Sequence, residues 1–132
     1  MSWDVLLMKE KFDLRDVPDD YEPQKLGNRD DLILQLQSII PEIDYTDKSW
    51  GILDMPEYSI EFNTGNNEQV DSIMLHIRGG GDPLPLIKLI CDSCNFAALD
   101  CSVGDFMDLE NLSSGSWIKF QEYRDKVINS YK

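Results

Sequence analysis

Tyr58-Ser59-Ile60-Glu61-Phe62-Asn63 and Val70-Asp71-Ser72-Ile73-Met74-Leu75-His76-Ile77-Arg78 are the two stretches that decide how this chain is read. In the first, Tyr58, Ile60 and Phe62 alternate with Ser59, Glu61 and Asn63. In the second, Ile73, Leu75 and Ile77 alternate with Ser72, Met74, His76 and Arg78. A strand turns successive side chains to opposite faces. Period two with one apolar set therefore predicts an antiparallel sheet covered by helices on one side. Between the two lies Thr64-Gly65-Asn66-Asn67, a run of turn formers.

Upstream, Trp50 to Met55 reads as a short strand. Asn28 opens a helix before it: an amide side chain suits the N-cap, and Asp30 and Asp31 suit the positive end of the helix dipole. Leu32, Leu36, Ile39 and Ile40 recur at helical spacing until Pro41 ends the run. Trp3 to Met8 is nearly continuous in apolar residues, which predicts a central strand covered on both sides over part of its length. Residues 9–27 carry Pro18, Pro23 and Gly27 but no period, and read as a long acidic loop.

Downstream, Gly79-Gly80-Gly81 turns the chain, Asp82 caps a helix and Pro83 takes its first position. Leu84, Ile87, Ile90, Cys91 and Cys94 form its buried stripe, with Asn95 as a left-handed stop. Ala98 to Val103 and Phe106 to Leu109 read as strands about Gly104. Ser113, Ser114 and Ser116 precede a last helix whose stripe is Trp117, Phe120, Tyr123, Val127 and Tyr131. The expected order is β-α-β-β-β-α-β-β-α: one α+β domain over residues 1–132, a two-layer sandwich of three helices on a mainly antiparallel sheet.

Composition bounds the function. The chain has 132 residues, 42% hydrophobic and 10% aromatic, enough for one packed domain. Twenty-five Asp and Glu face twelve Lys and Arg, a formal net charge of -13. Such a field repels nucleic-acid phosphate and anionic lipid, and attracts basic partners. The sequence opens without a basic leader and apolar run, and no stretch approaches the ~20 apolar residues of a spanning helix. A cytoplasmic setting is expected, and three cysteines fit a reducing compartment.

Four groups invite chemistry. Cys91, Cys94, Cys101 and His76 have zinc-type atoms, but two lie on an apolar helix stripe near its C-terminus, where core packing is the better reading. No metal or cofactor is expected. The Gly79-Gly80-Gly81-Asp82 step lies where backbone N–H groups and a helix start favour anions, and Arg78 stands beside it. It lacks the lysine of a P-loop and puts a carboxylate where an anion would sit. Glu61, His76, Arg78 and Asp100 alternate to the polar side of the sheet, as acid–base candidates or as cross-strand ion pairs. Asp13, Asp16, Asp19, Asp20 and Glu22 make an acidic tract, either a solvated loop or a contact for a basic protein. No catalytic nucleophile is flagged by spacing.

The segments Trp50-Gly51-Ile52, Tyr58 to Phe62, Asp71 to Gly81 and Ala98 to Cys101, with Trp3-Asp4-Val5, resemble a family of short uncharacterised bacterial α+β proteins. In size, acidity and α+β make-up the chain is also similar to immunity proteins that neutralise toxins. That likeness implies a non-catalytic protein-binding domain, an immunity-type inhibitor of a basic toxin. The alternative is a small enzyme or anion- and ligand-binding domain using Glu61, His76, Arg78 and the Gly79–Asp82 loop. A structural subunit of a larger assembly is the third class.

Overall fold

A computed structural model describes residues 2–12, 17–22, 24–110 and, further along, 118, 121, 122, 125 and 126. The elements run β1 (Trp3–Met8), β2 (Gly27–Asn28), α1 (Arg29–Ile39), β3 (Asp44–Asp47), β4 (Trp50–Asp54), β5 (Tyr58–Asn63), β6 (Gln69–Val70), β7 (Ile73–Gly79), α2 (Leu84–Cys94), β8 (Ala97–Asp100) and β9 (Asp105–Phe106). Seven strands form one sheet in the order β3-β4-β5-β7-β1-β8-β9, and β2 pairs separately with β6. Every pairing is antiparallel.

The period-two reading of β5 and β7 is what the sheet shows. Ile60, Phe62, Ile73, Leu75 and Ile77 are fully buried. They share one hydrophobic cluster with Leu32, Ile33 and Leu36 of α1 and Ile87, Ile90, Cys91 and Cys94 of α2. Both helices therefore cover the same face. Trp3, Val5 and Leu7 of β1 join that cluster, and Leu6 points the other way. At the end of β1, Met8 also faces away from the helices yet is buried beside its partner Ala97. The strand is central and covered on both sides only there.

The caps follow local chemistry. Asn28 Oδ1 accepts from the N–H groups of Asp30 and Asp31 at 3.0 and 3.3 Å, meeting two of the donors a helix start leaves open. Asn28→Ala should lower stability by about 1 kcal/mol, read from the denaturant midpoint. At α2 the cap sits one residue later than the sequence suggests. Pro83 occupies the cap position, and Asp82 Oδ1 accepts from the Leu84 N–H at 3.1 Å. Asn95 closes α2 in the left-handed conformation, φ 59° and ψ 47°.

Three expectations need correction. The sheet gains an edge strand, β3, and a small ribbon, β2–β6, that the expected order lacks. The stretch 70–78 is broken at Asp71–Ser72, so its strand starts at Ile73. The strand at Ala98 ends at Asp100, because Asp100 Oδ1 accepts from the N–H and hydroxyl of Ser102 and the Gly104 N–H closes back on the Asp100 carbonyl. That is the turn a short acid side chain nucleates. Among the described residues two helices have defined bounds. Of the expected third, over 117–131, residues 118, 121, 122, 125 and 126 are described and are helical; the rest of it, with its serine-rich start, lies outside the described residues. No helix of the described residues is long and apolar enough to cross a membrane.

Candidate functional site

The face of the sheet turned away from the helices carries the polar candidates. Register places Asp44, Ile52, Glu61, His76, Asp4 and Cys101 in one row across β3, β4, β5, β7, β1 and the end of β8. His76 thus stands directly between two carboxylates. Its Nδ1 lies 2.8 Å from Asp4 Oδ1. An ionised carboxylate only accepts, so Nδ1–H is the donor in this pair. Asp4 Oδ1 also accepts from the Ser2 hydroxyl at 2.7 Å. The Trp50 indole stacks on the imidazole, with centroids 5.6 Å apart and planes 19° apart. Asp4 and Trp50 hold the ring from its edge and its face. Arg78 Nη1 lies 2.9 Å from Glu61 Oε1, a partly exposed cross-strand ion pair.

Sequence reasoning found Glu61, His76 and Arg78, and the structure brings these three together. It missed Asp4, whose signal was plain: an acid inside an otherwise apolar strand must either face water or find a partner. Asp100 is not on this face. It points inward, 4% exposed, and Oδ1 accepts from the Trp3 indole N–H at 3.2 Å besides Ser102. An acid turned toward the core is held by donors because an unmet buried carboxylate is costly.

The triglycine step serves as a packed joint. The Gly80 N–H donates to the Glu57 carbonyl at 2.8 Å, and the Gly79 carbonyl accepts from Gln121 Nε2 at 2.7 Å. Of the acidic tract, Asp19, Asp20 and Glu22 are exposed, while Asp13 and Asp16 lie outside the described residues. The loop is tied to the sheet at Phe12, which stands edge-on to Phe106 at 5.3 Å, and Tyr21 donates to Glu10.

The cysteines divide between the faces. Cys91 and Cys94 are buried on α2, and burial pushes the Cys91 thiol up to about 12. Cys101 is exposed on the outward row, 4.0 Å from the Met74 sulfur. Residual burial, then the Asp4 and Asp100 carboxylates, push its thiol up as well. A nucleophile needs the opposite shift. Ellman's reagent should titrate one thiol, Cys101, in the native protein and three after unfolding. Because its pKa is raised, the native rate should keep climbing as pH passes the ordinary thiol range. Fast reaction of a second thiol without denaturant would contradict the burial of α2.

Compared with family models, curated proteins and solved structures, the chain matches none of them. Function must therefore be argued from geometry. Two clefts stand out. One, of about 320 Å³, is lined by Leu6 and Met74 together with Asn63, Gln69, Asp71 and Ser72, among others. The other, of about 310 Å³, lies at Asn28, Arg29, Asp30, Asn66 and Glu68. Neither is lined by His76, Glu61 or Arg78. The Asp4–His76 pair can relay a proton at an open surface, but neither cleft encloses a substrate against it. Among the described residues no group of three metal-ligating side chains converges.

Proposed function

We propose that the protein is a cytoplasmic, non-catalytic binding domain whose partner is a basic protein, as a bacterial immunity protein binds a cationic toxin. The observation that carries the reading is the charge: twenty-five acidic against twelve basic side chains in 132 residues. Supporting it, Asp4 pairs with His76 and Glu61 with Arg78 across strands of the outward face, and none of the four lines either cleft. A field of this sign speeds encounter with a cationic surface and disfavours acidic competitors.

Affinity capture from the source cells tests it. A tagged copy should retain a basic protein, and the complex should weaken as salt rises from about 0.05 to 0.5 M, because exposed charges are screened beyond a Debye length. Retention of neutral or acidic proteins only, or a complex indifferent to salt, would refute the reading.

A further inference from the structure

We infer that the outward sheet face is the docking surface, and that it takes a cationic segment of a partner protein in which arginines alternate with apolar side chains. The inference rests on the basic-partner reading above and adds where the partner sits and what it presents.

The face is unusual in being both greasy and acidic. A sheet side left to water is normally polar. Here Ile52 is 45% exposed, and Trp50, Met74, Leu6 and Leu99 are half-buried on the side away from the helices, while Phe106 at the β9 edge is covered by Phe12. Around them stand the carboxylates of Asp4, Asp44, Asp54 and Glu61, against the guanidinium of Arg78. Asp44 and Asp54 are exposed, so an incoming cation meets them first.

Three features fit an alternating cationic and apolar segment. Trp50 is rigid, held by its stack on His76, which Asp4 fixes in turn. A preorganised tryptophan is a favoured interface anchor and a platform for guanidinium. The cleft lined by Leu6 and Met74 lies on the same face and has room for one anchor side chain, with Asp71 also in its lining. The sheet edges are poor docking sites for an added strand: β3 has four residues and two acids, and β9 has two residues. The partner therefore lies over the face. By contrast, beside the exposed acids Asp19, Asp20 and Glu22 the described aromatic rings are already engaged, Phe12 on Phe106 and Tyr21 on Phe12, and Val17 is the one exposed large apolar side chain among the described residues of that loop.

The probe is a short synthetic peptide alternating arginine with leucine, titrated into the full chain by NMR at low salt. An oligolysine of equal charge is the control. Shifts should centre on Trp50, Ile52 and Met74, and oligolysine should bind more weakly. Ile52→Ser should weaken binding roughly fivefold, and the pair Asp44→Asn with Asp54→Asn roughly tenfold. All three positions are exposed, and an amide oxygen at position 44 can still accept from Thr46, so the melting temperature should fall by no more than a few degrees. Asp19→Asn, Asp20→Asn and Glu22→Gln together should change little. The reverse pattern, with shifts at 19–22 and a silent Trp50, would overturn this surface while leaving the basic-partner reading intact. Equal binding of oligolysine would overturn the apolar half. Absence of binding to either peptide would overturn the surface, and the capture experiment would then decide the reading separately.

Discussion

Phe62→Ala is expected to lower the unfolding free energy by about 3–5 kcal/mol, as a drop in denaturant midpoint at unchanged m-value. Phe62 is fully buried on β5. Register sets it between Gly51 of β4 and Leu75 of β7, with Val5 of β1 beyond. Gly51 contributes no side chain to that row. The Tyr45 ring fills its place, 2.6 Å from where a β-carbon would stand, and the Tyr45 hydroxyl hydrogen-bonds the buried Thr64 at 2.9 Å. The ring of Phe62 is thus enclosed by strand backbone and by groups fixed in place. Its removal leaves a cavity that hydrogen-bonded strands close poorly, which puts the cost at the upper end of such truncations. Ile52, one residue past Gly51 but on the outward face, supplies the control: Ile52→Ser should change stability by less than about 1 kcal/mol. Equal losses at the two positions would mean that the faces are assigned the wrong way round.

That sidedness was legible in the sequence because burial on one face repeats the same signal along a whole strand. Ile73, Leu75 and Ile77 could not all be buried by chance in a helix or a loop. Single-residue geometry was less legible. β3 reads Asp44-Tyr45-Thr46-Asp47, with one inward side chain, Tyr45, so it offers no alternation to detect. Its acids also bond locally: Asp44 Oδ1 accepts from the Thr46 N–H and hydroxyl, and Asp47 Oδ1 from those of Ser49. Such bonds are the mark of a turn, and turn chemistry is what the sequence displays there. Asp100 failed for the opposite reason. Alternation from Ala98 places it inward, but hydrophilicity suggested outward; the Trp3 indole, 97 positions away, resolves the conflict. Nothing local encodes that partner.

The outward row shows the same limit from the functional side. Types and spacing gave Glu61, His76 and Arg78, since all three lie on the two clearest strands. Asp4 and Trp50 come from β1 and β4, and they became neighbours of His76 only through the strand order β4-β5-β7-β1. Sequence order does not reveal that β7 follows β5 and precedes β1. The consequence is chemical as well as topological. With Asp4 at Nδ1 and Trp50 on its face, His76 is fixed as part of a surface rather than poised as a lone base.

Gly79→Ala is the second large effect, expected at about 2–6 kcal/mol. Gly79 has φ +104°, a region that costs an L-residue roughly 1–3 kcal/mol. Its added β-carbon would also lie 2.7 Å from the Glu57 carbonyl oxygen and 2.9 Å from Tyr58 Cα. Both are backbone atoms, and both are tied down: Glu57 O accepts from the Gly80 N–H, and Tyr58 O from the Met55 N–H at 2.9 Å. A flexible side chain could swing away, but this hairpin must shift as a unit, adding a cost of roughly 1–3 kcal/mol. Gly65 separates the two contributions. Its φ is +79°, yet nothing lies within 4 Å of a β-carbon there, so Gly65→Ala should show the backbone cost alone. A larger loss at Gly79 than at Gly65 is the signature of close packing against Glu57 and Tyr58. Equal losses would mean the joint is loose. The same contacts bear on anion binding at this step. The Gly80 N–H is already used, and Asp82 already holds the Leu84 N–H, so phosphate would have to displace a carbonyl and a carboxylate. Added phosphate should therefore leave the melting temperature of the native protein where equal ionic strength of chloride leaves it.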